Sequence, residues 1–404
     1  MIAAREERSG RNVEAPEAPL PARAERLRSL DVFRGLTIAA MILVNDAGAW
    51  GKTYSPLLHA EWHGWTPTDL VFPFFLFAVG VAIPYAFAGR LARSGGDRRP
   101  LYGQIVRRTL LLFALGLFLA WFPFYTVDWS TARIPGVLQR IAVVYLVAAL
   151  AWLHLGPRSR ALLMLALLAG YWLAMVLVPV PGHGAGDLSP DGNLAAWIDH
   201  LVLGHHTWKK APGPGDPEGI LSTVPAIATA LAGLFAGDGL RSPRAQRGKL
   251  AGLLLWGGVA TVAGLALARW FPINKNLWTS TYVLFTSGVA LLLLAAIYYL
   301  VDMQHKDGWA RPFSIFGIFG IFGIFGTNAI FAFFGSTLMA KIAILIHWTT
   351  AGGETLNLQQ WLYRHLFAAW LPDYVASLAW ALLFTALWWG LTAVLYRRRI
   401  FLRI

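Results

Sequence analysis

Two histidines and a carboxylate crowd one short stretch of this chain, Leu58-His59-Ala60-Glu61-Trp62-His63-Gly64-Trp65-Thr66-Pro67-Thr68-Asp69. An imidazole titrates at about 6.5, so it can serve as a general base near neutral pH. A neighbouring acid can fix its tautomer and stabilise its cation. The same residues also have a plainer reading. Thr66-Pro67-Thr68-Asp69 fits a helix start, with Thr66 at the N-cap, Pro67 at the first position and Asp69 closing a capping box. His59 and His63 would then simply pack against Trp62 and Trp65 at a membrane interface. The two histidines are four apart, but the segment lacks a helical pattern and a third ligand, so no metal is expected.

Four further polar clusters stand out. Asn45-Asp46-Ala47-Gly48 precedes the histidine stretch. Arg133-Ile134-Pro135-Gly136-Val137-Leu138-Gln139-Arg140 carries Gln139 and Arg140 into an apolar segment, where an arginine is costly and marks function or a buried ion pair. In Asp216-Pro217-Glu218-Gly219, Asp216 suits an N-cap and Pro217 a first helical position, which leaves Glu218 unexplained. Asn274-Lys275-Asn276-Leu277-Trp278-Thr279 offers Asn274, Lys275 and Trp278 either to a hydroxylated or anionic ligand or to the interface. A different group opens the first apolar run. Asp31 and Arg34 can pair locally, or Arg34 can join Arg107 and Arg108 around a phosphate. The chain has no cysteine, which excludes disulfides, thiolate metal sites and a thiol nucleophile.

These clusters must be held by membrane helices. Of 404 residues, 57% are hydrophobic and 14% charged, against about a quarter charged in ordinary soluble domains. Apolar runs fall at 35–51, 68–88, 106–122, 137–155, 160–179, 219–236, 248–270, 280–301, 312–336 (continuing to 347) and 376–396, each close to the ~20 residues a crossing helix needs. The expectation is an all-α polytopic membrane protein of about ten spans with both termini in the cytoplasm. Residues 1–28 read as a disordered cytoplasmic tail and 29–404 as one transmembrane domain. With that topology, 25 of the 34 basic residues fall on the cytoplasmic side, while the acids divide almost evenly, as the positive-inside rule requires. The net charge of +13 is thus a topology label rather than a sign of nucleic acid. Past 336 the expectation is a re-entrant or interfacial helix ending near Trp348. The repeat Ile315-Phe316-Gly317 to Ile324-Phe325-Gly326 reads as a low-complexity lengthening of the ninth span. No GxxxG seam stands out to support a dimer.

Five motifs in order give the chain a recognisable signature. They are Ser29-Leu30-Asp31 to Gly35 with Asn45; His59-Ala60-x-Trp62-x-Gly64-x-Thr66-x-x-Asp69-Leu70-Val71-Phe72-Pro73; Arg133 to Arg140; Asp216 to Gly219; and Asn274 to Trp278. Over about residues 27–396 the chain resembles the heparan-α-glucosaminide N-acetyltransferase family, in its bacterial NagX-type branch. The resemblance implies a multi-pass acyltransferase of the bacterial inner membrane. It would take acetyl from cytosolic acetyl-CoA and deliver it to an amino sugar on the far side, with a homodimer possible and no metal. It implies His59 as the catalytic residue, Asp69 as its companion acid and Asn45 as a further catalytic position, here a donor to the developing oxyanion. Arg34, Trp62, His63, Gln139, Arg140, Asp216, Glu218, Asn274, Lys275 and Trp278 are then the candidates for holding acetyl-CoA or acceptor. Direct transfer and an acetyl-His intermediate both remain open. So do O-acetylation of a cell-envelope polysaccharide and, from outside the enzymes, a solute or lipid transporter.

Overall fold

The computed structural model describes residues 27–306, 308–310, 327–350, 352–398 and 400. The expected tail at 1–28 and the Ile-Phe-Gly repeat therefore lie almost wholly outside the described residues. Helix α1 (Arg28–Asn45) starts earlier than the apolar run at 35. Its charged entry is satisfied inside the protein, which permits the early start. Arg34 pairs with Asp31 at 3.0 Å, and the Ser29 backbone N–H donates to the Asp302 carboxylate at 3.1 Å. A buried charge is tolerated only when it is met in this way.

The chain then passes back and forth as α2 (Val71–Arg93), α3 (Arg99–Trp121), α4 (Val137–His154), α5 (Pro157–Leu177), the short α6 (Leu194–Leu203), α7 (Ile220–Arg241), α8 (Gln246–Leu267) and α9 (Ser280–Ile297). A π-helical turn continues α9 to Met303. After the undescribed stretch come α10 (Thr327–Leu345), the strands β1 (His347–Thr349) and β2 (Thr355–Asn357), α11 (Leu358–Tyr363) and α12 (Asp373–Arg397).

Eight described helices are long and apolar enough to cross a membrane: α2 with its lead-in from Pro67, α3, α4, α5, α7, α8, α9 with its π-turn, and α12. Each corresponds to one of the expected spans. The first expected span is α1, whose opening turns carry Arg28, Asp31 and Arg34. The ninth is described only from Thr327. The sequence suggests a span to about 336 and then a re-entrant or interfacial helix ending near Trp348. Instead α10 runs unbroken from Thr327 to Leu345 and gives way to an antiparallel hairpin pairing Trp348 with Leu356, a minor β element in an otherwise helical protein.

The helices sort into an inner and an outer set. The apolar stretch of α2 is 78% buried and that of α7 67%, against 17% for α8 and 22% for α5. Leu162, Leu165, Leu255, Trp256 and Val262 on the outer helices are exposed, as lipid-facing side chains are in a bilayer. Without a hydrophobic drive between helices in lipid, close backbone approach supplies the cohesion. Gly80 on α2 meets α7 where a Cβ would stand 1.9 Å from the Ala230 carbonyl oxygen. Gly233 and Gly237 on α7 meet the Phe77 and Val81 carbonyls of α2 in the same manner. Gly233-Leu234-Phe235-Ala236-Gly237 is therefore a GxxxG seam that the sequence reading missed, and it is spent within the chain rather than on a second copy.

Candidate active site

The histidine stretch folds as loop and short 3₁₀ turns between α1 and α2. Several hydrogen bonds pin it. The Thr66 hydroxyl donates to the Leu58 carbonyl at 2.6 Å, the Thr68 hydroxyl to Pro56 O at 3.0 Å, and the Tyr282 hydroxyl from α9 to Asp69 O at 2.5 Å. Asp69 is 1% exposed and uses both oxygens. Its Oδ2 accepts the backbone N–H groups of Thr66 at 2.9 Å and Ala60 at 3.0 Å; its Oδ1 lies 2.7 Å from His59 Nδ1. The capping contacts of Asp69 and its contact with His59 thus coexist, one on each oxygen. With the acid on Nδ1, the neutral ring carries its proton there and keeps a lone pair at Nε2. The His59 side chain is half exposed, so the ring remains reachable.

The second wall is the loop before α9. Thr279 caps that helix by accepting from Tyr282 N at 3.4 Å, and its hydroxyl oxygen also accepts from Asn274 N at 3.1 Å. Asn274 is fully buried; its Oδ1 accepts from Leu277 N at 2.9 Å and its amide lies 3.3 Å from His63 Nδ1. Gly64 N donates to Ile273 O at 2.8 Å, joining this loop to the histidine loop. Held in this way, Lys275 places Nζ 3.0 Å from His59 Nε2, 3.1 Å from Nδ1 and 3.9 Å from Asp69 Oδ1. Burial pulls the Lys275 ammonium below the usual lysine range, opposed by Glu218 and Asp69. Partial burial likewise lowers His63.

Behind these loops lies a charged network. Arg140, in the first turn of α4, is 2% exposed. It donates to Thr223 Oγ1 at 3.2 Å, to Gly219 O at 3.4 Å and to Ser222 Oγ, and stacks 4.9 Å over the Trp278 ring. No carboxylate lies within ion-pair distance among the described residues, so the expected buried ion pair is replaced by neutral hydrogen bonds and a cation–π contact. Its Nη1 is buried without a hydrogen-bond partner among the described residues. The ion pair belongs to Arg133 instead. It meets Asp216 through Nε at 2.8 Å and Nη2 at 2.6 Å, and reaches Glu218 at 2.6 Å. That settles Glu218, and it corrects the reading of Asp216 as an N-cap. The N-cap of α7 is Gly219, and the Ile220 N–H is taken at 2.8 Å by Asp199 of α6. Asp216 turns away because its carboxylate is committed to Arg133, while its own N–H also donates to Asp199 at 3.1 Å. Burial pushes the Asp199 carboxyl up to about 6.

The remaining sequence candidates fall in three places. Trp62 donates its indole N–H to Leu188 O at 2.8 Å beside the histidine loop. Trp278 is fully buried and donates to Thr229 at 3.2 Å, so it supports Arg140 rather than facing the interface. Gln139 is buried, bonded to Ile134 O at 3.0 Å, and lines a cavity of about 570 Å³ with Trp121, Arg133, Trp208, Lys209 and Lys341. Asn45 ends α1 at the His59 end but is exposed, and no hydrogen bond ties it to His59. Arg34 sits toward the opposite end, where buried Arg108 stacks 5.8 Å from the Tyr145 ring and feels the charges of Arg34 and Arg90. Arg107 is exposed, so Arg90 takes the place expected for it. Sequence reasoning missed Asp199, Arg90 and Tyr282. Asp199 alone left a trace, as a carboxylate inside a short apolar helix. Among the described residues no group of His, Asp and Glu is arranged to hold a metal ion.

The family model described as heparan-alpha-glucosaminide N-acetyltransferase, catalytic, matches residues 26–251. The human heparan-alpha-glucosaminide N-acetyltransferase is 33% identical over 337 residues, covering 70% of this chain and 50% of the relative. The mouse protein of the same name is 31% identical over 435 residues, covering 94% of this chain and 61% of the relative. The chain thus spans between about half and three fifths of the length of the curated relatives it matches.

Proposed function

The chain belongs to the heparan-alpha-glucosaminide N-acetyltransferase catalytic family, and on that footing we propose that it is a membrane-embedded acetyltransferase. It moves acetyl from cytosolic acetyl-CoA to the amine of a glucosamine-type sugar on the far side of a bacterial cytoplasmic membrane. The observation that carries this reading is the 2.7 Å contact between His59 Nδ1 and a buried Asp69, which leaves the Nε2 lone pair as the base at a half-exposed ring.

The acceptor nitrogen attacks the thioester carbonyl and its proton passes to His59 Nε2. The tetrahedral adduct collapses, the C–S bond breaks, and the imidazolium returns the proton to the departing sulfur. The Asp69 carboxylate stabilises the imidazolium throughout. Asn45 stands at the same end with a side chain free of hydrogen bonds among the described residues, and serves as a further donor. Toward the other end, Arg34 lies eleven residues before Asn45 along α1, about 17 Å of helical rise. An extended pantetheine arm covers that length, which supports Arg34 and Arg108 as contacts for the nucleotide phosphates. The bias of 25 in 34 basic residues toward that end supports its cytoplasmic assignment.

The test is purified protein with labelled acetyl-CoA and glucosamine. Labelled N-acetylglucosamine is expected, with His59→Ala abolishing it. A near wild-type rate in His59→Ala removes the site assignment. Uptake of unmodified sugar into vesicles without acetyl-CoA replaces the enzyme by a transporter. Product labelled on oxygen redirects the acceptor to an envelope polysaccharide. CoA release in the absence of acceptor would establish an acetyl-enzyme in place of direct transfer.

A further inference from the structure

Among the described residues, Lys275 is the one group in hydrogen-bonding contact with His59 to which general-base chemistry gives no task. It comes from a loop 216 residues away in sequence, and that loop is fixed by the Asn274 and Thr279 hydrogen bonds and by the Gly64–Ile273 link. A lysine taken out of water carries a substantial desolvation cost. Here that cost is met at a place where a positive charge bears directly on the base.

The geometry limits what the charge can do. His59 Nδ1 is committed to Asp69, so Nε2 holds the accepting lone pair in the ring plane. Lys275 Nζ stands 3.0 Å from Nε2 and 3.1 Å from Nδ1, near-equal distances that place it over the ring face and leave the in-plane approach to Nε2 open. An attacking amine that gives its proton to Nε2 therefore enters beside the ammonium, and the oxygen of the carbonyl it attacks develops negative charge within reach of that cation. A cation fixed where an oxyanion forms is the usual source of the largest single catalytic term.

Resting on the acetyltransferase reading, we propose that Lys275 is a catalytic residue: its ammonium lies over the His59 ring in the free enzyme and donates to the tetrahedral oxyanion when the acceptor amine enters. The charged groups facing it are His59 and Asp69 from the histidine loop, Glu218 from the entry to α7 and Arg140 from α4. Glu218 and Asp69 favour its protonated form, and Arg140 opposes it.

The experiment compares wild type, K275Q, K275R and His59→Ala in kcat and kcat/KM for acetyl-CoA across pH. Removing the cation frees His59 to protonate more easily. K275Q is therefore expected to lose roughly 100- to 1,000-fold in kcat and to move the acid limb of kcat/KM to higher pH. K275R keeps the charge, so its acid limb stays in place while an alkaline limb due to lysine deprotonation disappears. Should K275Q fail to fold, the K275R profile decides. The proposal is overturned by K275Q within about threefold of wild-type kcat, where an oxyanion donor commands far more. It is equally overturned by a loss of kcat with the acid limb unmoved, or by a K275R profile that keeps the alkaline limb. An active wild type with an inactive His59→Ala and a fully active K275Q sinks this inference alone, whereas an inactive wild type sinks the acetyltransferase reading.

Discussion

Asp69→Asn separates capping from catalysis, because the two functions of Asp69 lie on different oxygens. Oδ2 accepts the N–H groups of Thr66 and Ala60, and Oδ1 faces His59 Nδ1. Asparagine has one oxygen. Two backbone donors compete for it against one ring nitrogen, so the oxygen stays with Thr66 and Ala60 and the amide NH₂ turns to His59. The ring must then accept at Nδ1 and carry its proton at Nε2, which removes the lone pair that receives the acceptor's proton. The comparable substitution in serine protease triads lowers kcat about 10⁴-fold. A loss of roughly 10³- to 10⁴-fold in kcat/KM is expected here, about 4 to 5.5 kcal/mol of barrier. If Asp69 were only a cap, the substitution would cost about 1 kcal/mol of stability and little activity. The assay is acetyl transfer from labelled acetyl-CoA, run beside thermal unfolding in the same detergent, with Asp69→Ala as the variant that loses both roles. An Asp69→Asn enzyme that keeps more than about a tenth of wild-type kcat/KM would refute the tautomer argument, since a wrong tautomer permits far less.

Two further outcomes follow from the packing and the charged network. Gly80→Ala places a methyl 1.9 Å from the Ala230 carbonyl; α2 and α7 must separate, and a marked fall in melting temperature and in folded yield is expected, whereas Gly89→Ala on the open side of α2 should leave both unchanged. Asp199 has its folded pKa raised from 3.8 to about 6 by burial; its contribution to stability is full below the unfolded value and is lost as pH rises through about 6. Asp199→Asn should therefore flatten the melting temperature between about pH 4 and 6, and an unchanged slope would show that another group titrates there.

The limits of the sequence show at particular residues. The apolar runs placed the crossing helices to within a few residues, because a span must be about 20 apolar residues long wherever it sits in the bundle. The Asp31–Arg34 pair was legible from its spacing of three and is present, but the start of α1 at Arg28 escaped, because the Ser29 N–H is met by Asp302 from the far end of the chain. His59 and Asp69 were legible together because only ten residues separate them and the Thr66 cap sets the local geometry. Gly233 and Gly237 were readable as a motif, yet only the contact with α2 shows what they serve.

From sequence alone came the class of molecule, its crossing segments and the pairing of His59 with Asp69. All of these rest on composition and short-range spacing. The tertiary structure alone decided the long-range electrostatics. It set Lys275 on His59, gave Asp216 and Glu218 to Arg133, assigned the start of α7 to Asp199, brought Arg90 rather than Arg107 to Arg108, and buried Trp278 under Arg140. The physical reason is that a charge removed from water takes its partner from whatever the packed helices bring within a few ångströms. That neighbour is fixed by the three-dimensional packing and has no constant spacing along the chain.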